Sequence, residues 1–308
     1  MSLRKVARWP FVAALAVLVV SQLLTDRVGW LQSLWWTPRV LLAAFAIPGF
    51  AIVLSFGWVL RWERAEQRRT AKWTAAAILA GIACTWGDWG VSKPRDPDAF
   101  RFAFWNACWM RGEVAPLAVD TILSWNADAI LLTDPGSTFS NGGAERFAEA
   151  GYSIARPGSF AIVSRVPIAE ARPVHDARGQ KLARIRLETP RGPLVIDAVD
   201  LPSETTLHRA LVMRNFAAAI GEIRGEMPDL IAGDFNITRG SASLREVVGD
   251  AVEAFAEAGE GWGGTYSRRW PFFAIDQTFV RAPWRPVWSR IVDPGLTRHR
   301  AQLVDLVR

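Results

Sequence analysis

The sequence predicts an α/β domain with packed sheets at residues 100–308, preceded by a three-helix transmembrane region at residues 1–92. Three observations support this. Short apolar runs alternate with helical patterns after residue 100, three longer apolar runs precede residue 92, and a polar, proline-interrupted linker lies between them at residues 93–99. With 50% hydrophobic and 21% charged residues, the chain is too apolar for a disordered protein. Its two cysteines exclude a disulfide framework and a thiolate zinc site.

The N-terminal region is predicted to cross the membrane three times, at about residues 9–24, 40–60 and 73–91. A spanning helix needs about 20 mainly apolar residues, which the second and third runs supply and the first approaches. Tryptophans cluster around the ends of the runs, as they do at membrane interfaces. A cleavable signal peptide is the alternative for the first run, and a pair of buried soluble helices is the alternative for the other two.

Charge predicts the orientation of these spans. Residues 1–92 hold ten Lys and Arg against four Asp and Glu, whereas the rest of the chain holds 26 of each. Basic residues precede the first run and crowd residues 61–72, which predicts a cytoplasmic N-terminus in a multi-pass protein of the cell membrane. The C-terminal domain is then periplasmic or extracellular. Nucleic acid stays among the candidate partners, but the neutral charge of this domain does not support it.

Periodicity predicts seven strands and three helices within residues 100–308. The strands are Phe102–Trp105, Ala129–Thr133, Phe160–Ser164, Leu182–Leu187, Leu194–Val199, Leu230–Ala232 and Ala274–Val280. The helices are Leu117–Trp125, Arg209–Arg224 and Ser243–Ala258. Many strands with few helices indicate packed sheets rather than a helical bundle.

The segment Ile231-Ala-Gly-Asp-Phe-Asn-Ile-Thr238 is the strongest candidate for a functional site. An apolar strand runs into Gly233, and Asp234 and Asn236 follow at alternate positions, so that both side chains point to the same face. A carboxylate and an amide at a strand end suit a hard cation, a phosphate oxygen or a bound water. An Asx-type turn that caps the strand explains the same residues equally well.

Other polar segments follow the predicted strands in a characteristic order. They are Phe104-Trp-Asn106, Asp128 to Asp134, Phe160 to Arg165, Asp197 to Ser203, Thr265-Tyr266, Ile275-Asp276 and Thr297-Arg-His299. Together with the Gly-Asp-Phe-Asn motif, this order resembles the endonuclease/exonuclease/phosphatase family of deoxyribonuclease I-like enzymes over about residues 100–308. The resemblance implies a four-layer α/β/β/α sandwich that hydrolyses a phosphate ester with water, assisted by Mg²⁺ or Mn²⁺.

The resemblance also implies a role for each matching residue. Asp234 would align the attacking water, Asn236 would bind the scissile phosphate, and His299 matches the catalytic histidine. The catalytic set is then Asp234, Asn236, His299 and Asp276. The metal would be held by Asp134, with Asn106 helping to arrange the metal and the phosphate.

Three positions depart from the family pattern. Asp134 stands in place of a glutamate and is one methylene shorter. Arg298 stands where the family has an aspartate before the catalytic histidine. Asp200 stands where many relatives have a histidine or tyrosine that protonates the leaving group. Asp200 and Arg298 are therefore candidate contacts of the substrate or the leaving group.

The leading hypothesis is a membrane-anchored, divalent-metal-dependent phosphoesterase that hydrolyses phosphodiesters or phosphomonoesters. A neutral domain tethered to a bilayer suits a lipid- or sugar-linked phosphate better than bulk DNA, because duplex binding draws on clustered Lys and Arg. The rival hypothesis is a member that kept the fold, lost the chemistry and acts as a membrane-displayed binding or scaffold domain.

Overall fold

A computed structural model of the protein describes residues 20–37, 88–91, 93–221 and 225–308, with isolated positions from 55 to 79. The chain divides into two compact units, Met1–Asp88 and Trp89–Arg308. In the first unit, a 3-10 helix at Gly29–Leu31 leads into the short helix α1 at Gln32–Trp35. None of the helices in the described ranges is long and apolar enough to span a bilayer. Most of the three predicted spans lies outside these ranges.

Two sheets form the second unit in its described part. The first contains β1 (Trp89–Gly90), β2 (Phe100–Asn106), β3 (Ala129–Thr133), β4 (Ser153–Ala155), β5 (Phe160–Ser164), β11 (Gly259–Trp262), β13 (Arg285–Val292) and β14 (Ala301–Val307). The second contains β6 (Ile168–Ala177), β7 (Gln180–Thr189), β8 (Gly192–Asp200), β9 (Leu230–Asp234), β10 (Val252–Glu253) and β12 (Asp276–Val280). The strand orders are β1-β11-β13-β14-β2-β3-β5-β4 and β10-β12-β9-β8-β7-β6.

Three apolar cores show how the layers stack. The central core joins the inner faces of the two sheets, with Phe102 and Phe104 of β2 against Ile185 and Ile196 of the second sheet. A second core packs the outer face of the first sheet on helices α2 (Ala115–Ser124) and α3 (Gly143–Glu149). A third core packs the outer face of the second sheet on α4 (Arg209–Gly221) and α5 (Arg245–Val248). The second unit is therefore a mixed α/β sandwich with helices outside both sheets, in agreement with the layering that the sequence predicts.

Strand register places four polar residues side by side on the second sheet. Lys181 on β7 pairs with Asp200 on β8, and Asp200 pairs with Asp234 on β9. Asp234 in turn pairs with Asp276 on β12. Side chains two positions away along β7, β8 and β9 belong to the central core, so period-2 geometry puts the polar row on the inner face where that core ends. Those neighbours are Ala183, Ala198 and Ala232.

The structure confirms each of the seven predicted strands in position, and corrects one helix. The predicted helix Ser243–Ala258 is instead a 3-10 turn at Ala242–Leu244, the helix α5, the strand β10 and a second short helix, α6, at Ala254–Ala258. Gly249 breaks the helix there, with φ of +61°. The helical period seen in the sequence came from two separate short helices that each bury one face.

The segment before the first long strand is joined to the sandwich. The predicted third span extends to about residue 91, but Trp89 and Gly90 form β1 and pair with Trp262 and Gly261 of β11. In the predicted linker, the Lys93 ammonium donates to a backbone carbonyl of α6 at 2.7 Å. The described part of the sandwich thus begins at residue 89.

Candidate active site

The Gly-Asp-Phe-Asn motif is a strand end fixed by one contact at each position. A Cβ on Gly233 would lie 1.9 Å from the backbone oxygen of Val199 on β8, so only glycine allows the two strands to approach this closely. Phe235 is buried, with its ring centroid 5.4 Å from that of Phe279. Asn236 adopts φ of +50° and donates its amide to the carbonyl of Leu201 at 2.8 Å. The motif is therefore a rigid turn that presents Asp234.

Both carboxylate oxygens of Asp234 accept a hydrogen bond. The Asn106 side-chain amide, at the end of β2 in the first sheet, donates to Oδ2 at 2.9 Å. The backbone N–H of Asn236 donates to Oδ1 at 2.9 Å. Asp234 is 2% exposed and Asn106 5% exposed. The two sheets thus meet at a carboxylate that is held in a single orientation.

His299 faces this carboxylate from the loop before β14. Its Nδ1 lies 2.9 Å from Oδ2 of Asp276 and 3.9 Å from Oδ2 of Asp234. The Tyr266 ring lies against it, with ring centroids 4.9 Å apart. The Thr265 hydroxyl accepts a hydrogen bond from the backbone N–H of Asp276 at 3.2 Å, which fixes the position of Asp276. The structure therefore brings Asp234, Asp276 and His299 together.

Asp134 and Asp200 lie on the other side of Asp234, where they share a cation. The Lys181 ammonium is 2.8 Å from Oδ2 of Asp200 and 3.6 Å from Oδ1 of Asp134. Asp134 directly follows β3 in the first sheet, whereas Lys181 and Asp200 belong to the second sheet. The predicted metal-site residue Asp134 is therefore next to an ammonium group, and its role as a metal ligand stays a prediction.

Arg298 lies outside this cluster. Its side chain is exposed, and among the described residues only its backbone carbonyl has a hydrogen-bond partner, the N–H of Arg268 at 2.7 Å. The carboxylate that orients the histidine is that of Asp276, 2.9 Å from Nδ1 of His299. The departure at Arg298 therefore leaves the histidine with an acidic partner.

Burial and mutual repulsion shift the pKa values of the acidic groups. Burial and the neighbouring Asp276 carboxylate raise the pKa of Asp234 well above its usual range. Burial raises the pKa of Asp200 to about 6, although Lys181 acts in the opposite direction. Burial lowers the pKa of His299, but the Asp276 carboxylate outweighs it and holds that pKa far above the usual value. The site is therefore a buried acidic pocket in which the imidazole carries a proton at neutral pH.

The same cluster has the donor set of a divalent-cation site. Asp234, Asp276 and His299 are all buried and each offers a ligand atom within 4.8 Å of the others. Carboxylate oxygens suit both Mg²⁺ and Mn²⁺. A cation that binds there competes with the proton on His299, because a metal ligand must be deprotonated. The residues therefore fit such an ion.

Strained backbone is concentrated around these side chains. Cys108, Trp109, Asp134 and Asn236 all adopt φ between +44° and +55°, a region that non-glycine residues rarely occupy. Hydrogen bonds fix these conformations: the Cys108 N–H donates to the Asn106 side-chain oxygen at 2.9 Å, and the Trp109 N–H donates to the Asp134 carbonyl at 2.8 Å. Strain of this kind accumulates at functional sites, where the surrounding structure holds it.

Lys181 and Arg209 lie in this region but are not among the predicted site residues. Lys181 lies in line with Ala183, Ile185 and Leu187 on the inner face of β7, so a lysine at the end of an apolar alternation was the available signal. Arg209 at the start of α4 is fully buried and donates to the carbonyl of Glu204 at 2.6 Å. Backbone carbonyls of the segment after β8 accept hydrogen bonds from it, and such contacts leave no trace in the sequence.

Comparisons with known proteins agree with this site and fold. The chain belongs to the Endonuclease/Exonuclease/phosphatase family, whose model matches residues 103–299. No curated protein matches the sequence.

Three solved structures illustrate the structural similarity. TDP2 of D. rerio with 14 humanising mutations has a TM-score of 0.54 and 14% identity, covering 68% of this chain and 99% of that chain. A mannosyl-6-phosphatase of Bacteroides thetaiotaomicron has a TM-score of 0.53 and 14% identity, covering 68% and 100%. An endonuclease/exonuclease/phosphatase of Beutenbergia cavernae has a TM-score of 0.52 and 16% identity, covering 67% and 71%. At these identities the similarity establishes the fold alone.

Proposed function

We propose that the chain is a divalent-metal-dependent phosphoesterase that hydrolyses a phosphate ester with water. One observation carries the proposal. Asp234 is buried, is fixed by Asn106 and Asn236, and faces the Asp276–His299 pair across 3.9 Å. Removing the carboxylates of Asp234 and Asp276 from water costs folding free energy, and a scaffold domain has no chemical use for them. The preserved cluster therefore favours an enzyme over the scaffold hypothesis.

In this reaction Asp234 accepts a proton from the attacking water. Asn106 and the backbone of Asn236 hold its carboxylate in a fixed orientation, which suits a group that must meet the attacking water in one geometry. The water oxygen then forms a bond to phosphorus as the bond to the leaving oxygen breaks. Because Asn236 uses one amide N–H on Leu201, its second N–H is left to donate to a phosphate oxygen.

Asp234, Asp276 and His299 would hold the Mg²⁺ or Mn²⁺ ion. When bound, the ion polarises the phosphate and lowers the pKa of nearby groups. Asp276 orients the His299 ring through Nδ1, and Asn106 orients the carboxylate of Asp234. The metal roles predicted for Asp134 and Asn106 would place the ion beside those two residues instead. The Asp134→Asn variant below distinguishes this location from the cluster of Asp234, Asp276 and His299.

The substrate class and the cellular setting are part of the same proposal. The sandwich carries no excess positive charge, which supports a small or lipid- or sugar-linked phosphate ester over duplex DNA. One structural neighbour is named as a sugar phosphatase, and another was solved with a single-strand DNA product, so both chemistries occur on similar folds. The apolar runs and basic loops support membrane anchoring, with the sandwich on the periplasmic or extracellular side.

The test compares Asp234→Asn with a matched carboxylate-to-amide change far from the site. Asp120→Asn is the control, because Asp120 is an exposed residue of α2 that pairs with Arg146. With purified full-length protein and Mg²⁺ or Mn²⁺, hydrolysis of p-nitrophenyl phosphate and bis-p-nitrophenyl phosphate is measured. Asp234→Asn should lose about 10²–10⁴-fold in kcat, and Asp120→Asn should retain full activity.

Two further outcomes decide between the hypotheses. Asp134→Asn should weaken Mn²⁺ binding less than Asp276→Asn if the ion lies between Asp234, Asp276 and His299. If the wild-type protein hydrolyses no phosphomonoester, phosphodiester, nucleic acid or lipid phosphate, the phosphoesterase proposal is wrong and the scaffold hypothesis replaces it.

A further inference from the structure

Lys181 places a positive charge at one end of the row of acidic residues. Its ammonium lies 2.8 Å from Asp200 in its own sheet and 3.6 Å from Asp134 in the other sheet. The His299 imidazole stands at the opposite end of the row, beside Asp276. Between these two cationic groups lie the carboxylates of Asp200 and Asp234.

The ammonium group retains hydrogen-bonding capacity for a ligand. An ammonium carries three N–H donors, and Asp200 accepts one of them at hydrogen-bond distance. Oδ1 of Asp134 lies farther away, at 3.6 Å. The Lys181 side chain is 21% exposed, so solvent reaches the charge.

The position of Lys181 is that of a substrate-binding group. The next inner-face residue of β7, Ala183, already belongs to the central core, so the side chain leaves the core at the edge where Asp234 lies. Asp200 anchors the ammonium, and Asp200 is itself the strand neighbour of Asp234. Lys181 therefore lies two strands away from Asp234, on its Asp200 side.

We propose that Lys181 binds a non-bridging oxygen of the substrate phosphate and selects phosphomonoesters over phosphodiesters. This inference rests on the proposed phosphoesterase function. A phosphomonoester carries close to two negative charges above pH 7, because its second pKa is about 6, whereas a diester carries one. A site that already holds several carboxylates repels a dianion more strongly than a monoanion, so an added cation benefits the dianion more.

The experiment measures selectivity and binding in full-length protein. Lys181→Ala removes the charge, Lys181→Arg keeps it, and Arg186→Ala removes a charge from a partly exposed position of the same strand. Each variant is assayed on p-nitrophenyl phosphate and bis-p-nitrophenyl phosphate, and each rate is divided by that of wild type. Binding of inorganic phosphate is measured by calorimetry, and thermal unfolding reports whether each variant folds.

Lys181→Ala should lower kcat/KM for the monoester about 10²-fold and for the diester less than about tenfold, because a charged hydrogen bond to the dianion is lost. It should also weaken phosphate binding. Lys181→Arg should keep most of the selectivity, and Arg186→Ala should match wild type. If Lys181→Ala does not fold, Lys181→Gln replaces it, since glutamine keeps a polar side chain without the charge.

Distinct results overturn the inference and the function on which it rests. Equal losses on both substrates, or no loss on either, contradict the role of Lys181 while hydrolysis by wild type supports the function. A wild type that hydrolyses only the diester also contradicts the role of Lys181 and supports the phosphoesterase function. If wild type hydrolyses neither substrate but binds phosphate, and Lys181→Ala weakens that binding, the proposed phosphoesterase function is wrong and Lys181 is still a phosphate-binding residue. If wild type hydrolyses neither substrate and Lys181→Ala binds phosphate as wild type does, the function and the role of Lys181 are both wrong.

Discussion

The His299 imidazole, in the loop before β14, is held by a carboxylate of β12, 23 positions earlier in the chain. Asp276 lies at the start of β12, and the hydroxyl of Thr265 fixes its backbone. The aspartate expected directly before the histidine is replaced by the exposed Arg298 without loss of this contact. The orienting function therefore belongs to a contact between separate segments of the sandwich.

Substitutions at these two positions should differ greatly in effect. Asp276→Asn removes the negative charge that raises the pKa of His299, so that pKa should fall, and hydrolysis should drop about 10²–10⁴-fold. Arg298→Asp should change kcat/KM by no more than about fivefold, the effect of an exposed charge pair. Enzyme kinetics and histidine-resolved NMR titration measure both. A large gain or loss in Arg298→Asp would show that this side chain acts at the site.

Asp200 should make stability depend on pH in a defined window. Its pKa is raised from 3.8 to about 6, so the folded state binds this proton more tightly than the unfolded chain. The resulting stabilisation is complete below pH 3.8 and is lost as pH rises through about 6. Asn has no such proton, so Asp200→Asn should gain up to about 3 kcal/mol relative to wild type between pH 3.8 and pH 7. Urea unfolding of both proteins at the two pH values, without divalent cations, tests this. A difference in unfolding free energy between Asp200→Asn and wild type that does not change with pH would contradict it.

The sequence predicted the site residues that lie in local motifs. Asp234 and Asn236 follow a strand at alternate positions, and Asn106, Asp276 and His299 follow in family order. Lys181 was not predicted, because its importance comes from the register that sets β7 beside β8. Contacts between residues distant in the chain depend on strand pairing, which a local pattern does not specify.

At the scale of elements, the close pairing of β8 and β9 determines where Asp234 lies. Gly233 is the position at which these strands come closest, since a Cβ there would meet the Val199 backbone. The Phe235 N–H then bonds to the Ile275 carbonyl, which ties the strand end to the segment before β12. The glycine of the motif thus controls the distance between the strands that carry the carboxylates.

Gly233→Ala should therefore lower both stability and activity. The added methyl group must push β8 and β9 apart, at a cost of about 1–3 kcal/mol for overpacking, and it should displace Asp234. Gly221→Ala at the end of α4 is the control, because its Cβ would meet no atom within 4 Å. Chemical unfolding and kcat are measured for both. Wild-type values in Gly233→Ala would show that the strands have room to adjust.

Some strands were predictable and others were not, for physical reasons. Ala129–Thr133 and Phe160–Ser164 are fully buried and read as uninterrupted apolar runs, so their predicted bounds match the structure. The strand β14 was not predicted, although all seven of its residues are buried. It contains the buried Asp305, whose charge is compensated by Arg101 of β2 at 2.7 Å, a partner that the sequence does not reveal.

At the scale of the whole molecule, the sandwich brings its two sheets together at the polar row. Asn106 and Asp134 come from the first sheet, and Asp200, Asp234 and Asp276 from the second. The central core ends where these residues begin, so apolar packing on one side fixes the carboxylates on the other. The fold therefore positions the cluster as a unit.

The membrane topology is a prediction at the same scale. The basic residues in the segment 61–72 predict a cytoplasmic N-terminus and three spans, which place the sandwich outside the cytoplasm. A fusion after Arg308 should give active alkaline phosphatase and no green fluorescence in a bacterial host. Fluorescence without phosphatase activity would contradict the three-span topology.

We propose that buried carboxylates and an imidazole carry out metal-dependent phosphate-ester hydrolysis. The most direct test of this claim is metal add-back: the full-length protein is treated with EDTA, dialysed, and assayed on both p-nitrophenyl substrates as Mg²⁺ or Mn²⁺ is restored. We expect wild-type activity to disappear with EDTA and to return with saturable dependence on the ion, and Asp234→Asn to stay inactive throughout. Activity that survives complete metal removal, or that returns equally in Asp234→Asn, would contradict the claim.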